Sequence, residues 1–324
     1  MAERASIFQI VQVGAESTPG TAVAATKRLG AMQLAMGAKV DISKYRPSGN
    51  KWNTIAALNR EWTEGKLSGP VTYSEIVYAL AGVLEKVSPT GSTAKTWTFA
   101  PNATTADVRQ SFTIEQGSSV RAHRIAYGLI TALGLKFKSV GVELDGTVLG
   151  QALEDNHALT SAGVTDIPLV PVLPTQVQIY LADTAAGLDA AGALERAISA
   201  EWSIGDRFGA AYFLDGTASW ATDVETEPSL STKLLMEADA AGMALLATMR
   251  AGATKFLRIL AEGAEIESGT NYTLQIDTAC KITDVSEFSD EDGIFAIEWT
   301  MDGFYDATWG RVTEVTVINQ VAAL

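Results

Sequence analysis

The order of apolar and polar residues along the chain predicts a protein built mainly of β-strands. Phe295, Ile297, Trp299 and Met301 alternate with small or polar residues. Because successive side chains of a strand point to opposite faces of a sheet, this alternation is typical of a strand with one covered and one wet face. A similar alternation surrounds a tryptophan in the second half of the chain, and we predict a strand over residues 211–225.

Two segments depart from this alternation and follow the 3.6-residue period of a helix. The apolar side chains of residues 73–84 fall on one stripe, and Thr72 with Glu75 three residues later matches the capping box that often begins a helix. Residues 234–249 form a second apolar segment of this kind. We therefore expect a mainly β (α+β) fold with one helix flanking the sheet in each half of the chain.

The two halves of the chain also resemble each other. Matching residues recur at one offset, 257 − 112 = 145. A repeat of this length is typical of a duplicated domain rather than a solenoid. We predict tandem domains over residues 1–165 and 176–324, joined by a proline-rich junction over residues 166–175. The matched pairs are Phe112 with Leu257, Tyr127 with Tyr272, Leu129 with Leu274, and Lys136 with Lys281.

Each half contains two strands joined by a turn-rich loop. In the first half, residues 32–68 are predicted to form a long hairpin around the basic loop 46–54. In the second half, residues 197–225 are predicted to form a hairpin around the loop 205–209. Turn-forming residues between two alternating segments are the usual sign of such hairpins.

Composition and charge exclude several classes of protein. With 47% apolar and 19% charged residues among 324, the chain is expected to fold in solution, and no apolar run reaches the roughly 18 residues of a membrane-spanning helix. Residues 1–162 carry 13 acidic and 16 basic side chains, a net of +3, whereas residues 163–324 carry 25 and 8, a net of −17. No basic stripe suits tight binding of nucleic acid. The charge difference instead suits head-to-tail contacts between copies of the chain.

Candidate catalytic or metal-binding groups are few. Neither of the two histidines has a further ligand at metal-binding spacing, and the single cysteine, Cys280, is expected to be a small buried residue on a strand. The acidic turn 290–293 lacks the spaced ligands of a calcium-binding loop. Glu298 and Asp302 share one strand face, and an exposed polar face explains them more simply than a glycosidase carboxylate pair does. We therefore expect no enzyme activity and no cofactor.

The N-terminal segment over residues 11–29 resembles the start of the tail tube (major tail) proteins of long-tailed bacteriophages. That family opens with a similar segment, Gly–Glu–x–x–x–Gly–Thr–x–x–Ala. The matching residues in this chain are Gly14, Glu16, Gly20, Thr21 and Ala24, with one extra residue after the first glycine. The rest of the chain resembles the family in its order of elements, namely a long hairpin, a helix beside a sheet and a closing meander.

The resemblance implies a fold of two packed antiparallel sheets, a sandwich or barrel, whose inner strands join those of neighbouring subunits in one β-barrel around a lumen. Rings of six such domains stack along the tail. The lumen holds the tape-measure protein and later conducts DNA without specific binding. A chain with two domains would close the ring as a trimer with pseudo-sixfold symmetry, and a hexamer whose chains each carry an extra decorating domain is the alternative.

The resemblance further implies a place in the virion and a set of partners. The protein would be assembled in the cytoplasm of the bacterial host and would reside in the tail, where it meets the tail terminator and the tail-tip proteins. No membrane partner is expected. The competing hypothesis is a two-domain β-sandwich adhesin or tail decoration module that binds a cell surface, for which exposed aromatic patches on loops would be the sign.

The alternation of the strands and the family resemblance together predict which side chains line the lumen and which form contacts between rings. Acidic residues on the hairpin strands are candidates for the lumen wall, because a negative wall repels phosphates and lets DNA slide. The loop tips and the N-terminal segment are candidates for contacts between rings. The lumen candidates are Glu61, Glu64, Asp223 and Glu225, and the inter-ring candidates are Glu16, Thr18, Arg46, Asn50, Lys51, Trp52, Asp206 and Arg207.

Overall fold

A computed structural model describes residues 8–205 and 207–324. Strands make up 54% of the structure and helices 9%, which confirms the mainly β fold. Neither α-helix in the described residues is long and apolar enough to cross a membrane. The helices are α1 (Ile76–Val83) and α2 (Ala240–Ala251). The strands are β1 (Ile10–Ala15), β2 (Lys27–Leu29), β3 (Gln33–Tyr45), β4 (Ile55–Pro70), β5 (Lys95–Phe99), β6 (Phe112–Gly117), β7 (Ala122–Lys138), β8 (Gly141–Gly150), β9 (Glu154–Asp155), β10 (Thr165–Asp166), β11 (Val177–Ala182), β12 (Ala197–Gly205), β13 (Phe208–Ala211), β14 (Thr222–Glu225), β15 (Ser229–Glu237), β16 (Thr254–Glu267), β17 (Thr270–Val285), β18 (Ser289–Glu291), β19 (Ile294–Gly303) and β20 (Thr313–Asn319).

One antiparallel sheet of eight strands runs through both halves of the chain, and we call it the front sheet. Its order is β3–β4–β8–β7–β12–β15–β19–β17. The two halves meet between β7 and β12, where Ser199 lies opposite Lys138 and Ile204 lies opposite Leu133. The outer strands of the front sheet are therefore β3 at one edge and the C-terminal part of β17 at the other.

Further strands extend from the N-terminal parts of β7 and β17. In the first half, β7 pairs with β6, and β6 pairs with β1. In the second half, β17 lies between β16 and β20, while β11 pairs with β16. Strand β5 of the first half pairs with β20 of the second half. Pairing between these strands thus joins the halves at two separate places, β7 with β12 and β5 with β20.

The buried face of the front sheet and helix α1 belong to one hydrophobic core that spans both halves. All eight residues of α1 are buried, and Trp202 of β12 and Trp299 of β19 are fully buried. Burying one large apolar side chain stabilises a fold by about 1.5–3 kcal/mol. Because these side chains come from both halves, we expect the chain to unfold as one unit.

The start of α1 differs in one respect from the predicted capping box. The hydroxyl of Thr72 accepts a hydrogen bond from the backbone N–H of Glu75 at 3.1 Å, as a capping box requires. The carboxylate of Glu75 instead accepts from the backbone N–H groups of Gly30, Ala31 and Met32, at 2.6 to 3.1 Å. This buried carboxylate fixes the segment that leads into β3.

The second helix begins later than the sequence predicts. Residues 234–237 belong to β15, where Leu234 and Met236 are buried, and α2 starts at Ala240. Asp239 caps the helix by accepting from the backbone N–H of Gly242 at 2.8 Å. A short apolar run fits a strand as well as a helix. The apolar pattern of residues 234–249 therefore did not reveal where β15 ends and α2 begins.

The predicted strand over residues 211–225 is wrong. Strands β13 and β14 form a separate two-stranded sheet, residues 212–221 connect them as a loop, and the hairpin partner of β12 is β15. The packing of Trp220 explains the loop. Its indole N–H donates to the carbonyl of Gly150 at 3.0 Å, and its ring lies 4.3 Å from the ring of Tyr127. The alternation around Trp220 therefore reflects loop packing and not a strand.

The front sheet contains the same four-strand arrangement twice. Strands β3, β4, β8 and β7 correspond to β12, β15, β19 and β17, and a helix follows the second strand of each set. Strands β7 and β17 each carry a bulge at the corresponding position. The offset is 282 − 130 = 152 before the bulge and 285 − 133 = 152 after it. The equivalent pairs are Ile130–Val148 with Ile282–Met301, and Leu133–Gly146 with Val285–Trp299.

This offset differs from the 145 found by matching residues in the sequence. Under the structural offset, Tyr127 corresponds to position 127 + 152 = 279, which is Ala279 and not Tyr272. The pairing of Tyr127 with Tyr272 is therefore wrong. Strand register is the better guide, because a one-residue shift moves every side chain to the other face of the sheet.

Candidate assembly surfaces

The face of the front sheet that points away from the core is mainly polar, with Leu149 and Leu235 as apolar exceptions, and we call it the polar face. Leu67, Leu135 and Trp299 point into the core, so their strand neighbours point to the polar face. The polar face carries eight carboxylates and five lysines, a net of 5 − 8 = −3. These residues are Glu64, Glu143, Asp145, Glu201, Glu237, Asp284, Glu298 and Asp302, with Lys66, Lys136, Lys138, Lys233 and Lys281.

Several of these charges are paired across the strands. Lys136 lies 2.7 Å from Asp145, and Lys233 lies 3.3 Å from Glu298. The hydrogen bond that Lys136 donates to the carboxylate of Asp145 raises the pKa of Lys136. Exposed pairs of this kind contribute little to stability. Their effect here is to leave a weakly negative, hydrophilic surface.

Of the four predicted lumen carboxylates, Glu64 alone lies on the polar face. Its carboxylate accepts from the indole N–H of Trp62 at 2.9 Å and lies 3.8 Å from Lys39. Glu61 lies three residues earlier on the same strand, and residues three apart point to opposite faces. Glu61 therefore shares the face of the buried Thr63 and is not on the polar face.

Asp223 and Glu225, the other two lumen candidates, are engaged inside the subunit. The carboxylate of Asp223 is 2% exposed, is ion-paired with Arg109 and accepts from the hydroxyl of Tyr127 at 2.7 Å. Glu225 lies 3.0 Å from the guanidinium of Arg207. Both predictions are corrected, because these side chains stabilise the contact between the loop and the first half of the chain.

Arg207 was predicted as an inter-ring contact and is instead a buried anchor. Its guanidinium lies 2.7 Å from Asp107, whose side chain is fully buried. It also donates to the carbonyls of Val83 and Leu84 at 3.1 and 3.2 Å. These carbonyls lie at the C-terminal end of α1, where a positive charge is favourable. Arg207 thus binds the segment between β12 and β15 to the first half of the chain. The neighbouring inter-ring candidate, Asp206, lies outside the described residues.

Glu16 was likewise predicted as an inter-ring contact and is buried. One carboxylate oxygen accepts from the backbone N–H of Tyr127 at 2.9 Å, and the other accepts from the backbone N–H of Gly20 at 2.9 Å. Two hydroxyl groups, from Ser111 and Thr113, complete its partners. Glu16 therefore shapes the turn that presents the exposed Thr18.

The remaining inter-ring candidates lie on a projecting hairpin. Residues 55–62 of β4 precede Thr63, the first residue of that strand to pair with β8. At about 3.3 Å per residue, the paired ends of β3 and β4 extend about 26 Å past the front sheet. We call residues 39–62 the arm. Its tip carries the exposed side chains of Arg46, Asn50, Lys51 and Trp52, of which Trp52 is 74% exposed.

The loop of the second half supports the base of the arm. The backbone N–H of Glu61 donates to the carbonyl of Ala218 at 2.9 Å. The guanidinium of Arg60 lies over the ring of Tyr212, 4.5 Å from its centroid. A hairpin held at its base in this way keeps its direction although its tip is exposed.

Both outer edges of the front sheet are free of strand partners within the described residues. Strand β3 pairs with β4 on one side only. Residues 282–285 of β17 pair with β19 on one side, and pairing with β16 on the other side ends at Lys281. Unpaired edges present backbone N–H and C=O groups that can add a strand from another chain. Sequence patterns did not reveal these edges, because they depend on which strands become neighbours in the fold.

No protein-family model matches the chain, and a search of curated proteins finds no match.

Proposed function

We propose that this chain is a structural protein that assembles into stacked rings and forms the hollow tube of a phage tail. The single observation that carries the proposal is the junction between β7 and β12 inside the chain. There the first strand of the second four-strand set completes the edge of the first set. At the offset of 152, the equivalent edge of the second set is residues 285–290, which begins at Val285 at the end of β17 and continues into β18. Within the described residues β18 pairs with β19 on one side, and β3 is the first strand of the other set.

The internal junction supplies the register of the proposed contact between chains. Ile204 pairs with Leu133 inside the chain. Leu133 corresponds to Val285 at the offset of 152. Ile204 lies opposite Leu230, and Ala38 lies opposite Thr63. Leu230 and Thr63 are equivalent, because each lies four residues before the residue that pairs with Trp299 or with its equivalent Gly146, so Ile204 corresponds to Ala38. We therefore expect Ala38 of one copy to lie opposite Val285 of the next copy.

Closure of such a ring follows from the number of repeated sets. Each chain supplies two four-strand sets, and six sets in pseudo-sixfold symmetry require three chains and 24 strands. With strands about 4.8 Å apart and tilted about 40°, the barrel would be about 48 Å across at the backbone. The heterologous contact between β3 and β17 is of the kind that closes into a ring when the rotation fits.

The polar face supports a role as the wall of a channel. It is mainly polar, with Leu149 and Leu235 as apolar exceptions. Its net charge is −3 per chain among the residues named above, and −1 when Lys39 and Arg196, which pair with Glu64 and Glu237, are included. A wall of this kind gives phosphates no attractive surface, so DNA would pass without specific binding. In this proposal the tape-measure protein occupies the channel before DNA, and the tail terminator and tail-tip proteins bind the ends of the tube, in the virion tail.

A pair of cysteines tests the register directly. Residues opposite each other in an antiparallel pair have Cα atoms about 4.5–5.5 Å apart, within the range that a disulfide spans. Inside one chain, Ala38 and Val285 lie on opposite edges of an eight-stranded sheet, about 34 Å apart. Oxidised Ala38→Cys/Val285→Cys protein should therefore form covalent dimers and closed trimers, whereas each single variant should form no closed trimer.

An off-register pair provides the matched control. Ser43 lies on the same strand, five residues or about 17 Å from Ala38, so Ser43→Cys/Val285→Cys protein should cross-link poorly. Negative-stain microscopy of the unmodified protein should show rings or tubes. Monodisperse single chains, together with equal cross-linking of the two cysteine pairs, would contradict the proposal.

A further inference from the structure

The end of the front sheet opposite the arm carries a second projecting feature, the hairpin between β17 and β19. Its turn is formed by Asp292 and Gly293, both in the left-handed region with φ of 53° and 85°. Positive φ at both central residues is the geometry of a tight hairpin turn, for which Asp-Gly is a favoured sequence. We call residues 284–295 the acidic hairpin.

The acidic hairpin has exposed aromatic groups as well as charge. Phe288 and Phe295 stack with ring centroids 4.4 Å apart, and they are 51% and 58% exposed. Ile294 beside them is 44% exposed. The hairpin contains five carboxylates and no basic residue. Within the part of the chain that the structure describes, none of these carboxylates forms an ion pair.

The tip of the arm has the complementary composition. Residues 44–55 carry Lys44, Arg46 and Lys51 and no carboxylate, a net of +3. Three large apolar side chains of this segment are exposed: Tyr45 by 56%, Trp52 by 74% and Ile55 by 57%. Like the acidic hairpin, the tip of the arm therefore combines charges of one sign with exposed apolar side chains.

The two features lie at opposite ends of the same sheet. The arm continues past the end at which β8 and β19 finish, whereas the acidic hairpin lies where β19 begins. The arm belongs to the β3 edge and the acidic hairpin to the β17 edge. When the β3 edge of one copy pairs with the β17 edge of its neighbour, the arm and the acidic hairpin both lie at the boundary between the two copies. They lie at opposite ends of the ring.

We propose that the acidic hairpin of one copy of the chain is the docking site for the arm tip of a second copy placed end to end with it. This inference rests on the proposed tube, because ring closure brings arm and hairpin to one boundary. Opposite charge steers the ends together, and the apolar side chains of both features become covered on contact. A ring of three chains has three arms and three acidic hairpins. Each arm of one ring therefore has one acidic hairpin of the next ring as its partner.

Charge reversal tests the contact. Arg46→Glu/Lys51→Glu protein has an arm tip of net −1 and an acidic hairpin, and Asp284→Lys/Glu287→Lys/Glu291→Lys protein has a basic arm tip and a hairpin of net +1, with the Asp292-Gly293 turn unchanged. Each variant alone should form rings that stack at least about 100-fold more weakly than those of the unmodified protein, because like charges now face each other. Mixing the two variants should restore stacking, since each arm then meets a hairpin of opposite charge.

A matched control changes the same amount of charge elsewhere. Lys66→Glu/Lys138→Glu protein alters two exposed lysines of the polar face and should stack as the unmodified protein does. Ring closure is read from the mass of the particles, and stacking from particle length by microscopy and from sedimentation at two salt concentrations. Stacking of the unmodified protein should weaken as the salt concentration rises.

The possible outcomes separate the two proposals. Rings that still stack after either reversal, or reversed variants that mixing does not rescue, would overturn the docking site and leave the tube proposal intact. End-to-end chains that are lost on reversal and rescued by mixing, in a protein that closes no ring, would support the docking site and overturn the tube. A protein that forms neither rings nor end-to-end chains would overturn both.

Discussion

Replacement of Arg207 should destabilise the folded chain because the guanidinium neutralises a buried carboxylate. Asp107 is fully buried, and Arg207 supplies both its ion pair and two hydrogen bonds to the end of α1. Breaking a buried pair by removing one partner costs about 3–5 kcal/mol, since the other charge is left buried and uncompensated. We expect Arg207→Met to lower the free energy of unfolding by about that amount.

Urea unfolding, followed by tryptophan fluorescence, measures this loss. The double variant Arg207→Met/Asp107→Asn removes both charges and keeps an acceptor for the backbone N–H of Asn102, which bonds to Asp107 at 2.8 Å. It should recover more than half of the stability lost in the single variant. A loss below about 1 kcal/mol for Arg207→Met, with tube formation abolished, would refute the reasoning and return Arg207 to the inter-ring contacts.

Three further predictions concern single residues. Gly20→Ala should cost about 1–3 kcal/mol in urea unfolding, because Gly20 has a φ of +80° and an added Cβ would lie 2.9 Å from the ring of Tyr127; an unchanged midpoint would contradict this. Burial raises the pKa of Cys280 to about 12, so the thiol should react with a maleimide only after unfolding, and fast labelling of folded protein would contradict its burial. Burial also raises the pKa of Glu85, so the folded state binds this proton more tightly than the unfolded state and its ionisation costs stability as the pH rises. Glu85→Gln should therefore gain stability relative to the unmodified protein as the pH rises above the unfolded pKa, and a constant difference at all pH values would contradict the shift.

The sequence predicts the class of fold and several local features well. The alternation around Trp299 predicts a strand with one buried face, and residues 294–303 form that strand with Trp299 in the core. The apolar run after Thr72 predicts α1, and the basic loop 46–54 lies between β3 and β4 as expected. These features depend on neighbours in the sequence, so the sequence contains the information needed to find them.

The missed features depend on contacts between distant residues. Glu16 meets Ser111 and Thr113 across 95 and 97 positions, and Arg207 meets Asp107 across 100. No periodicity distinguishes such buried charges from exposed ones. The separation of Glu61 from Glu64 is different, because their spacing of three residues already places them on opposite faces of a strand. Asp239 before an apolar run was likewise a readable cap for α2.

The mass of the smallest closed ring tests the central claim most directly. If the edge of β3 pairs with β17 of a neighbour, and each chain supplies two of six four-strand sets, native mass spectrometry should give 3 × 34.3 = 102.9 kDa. A closed ring of six chains would contradict the two-set arrangement. A chain that remains at 34.3 kDa at every concentration tested would contradict assembly through these edges altogether.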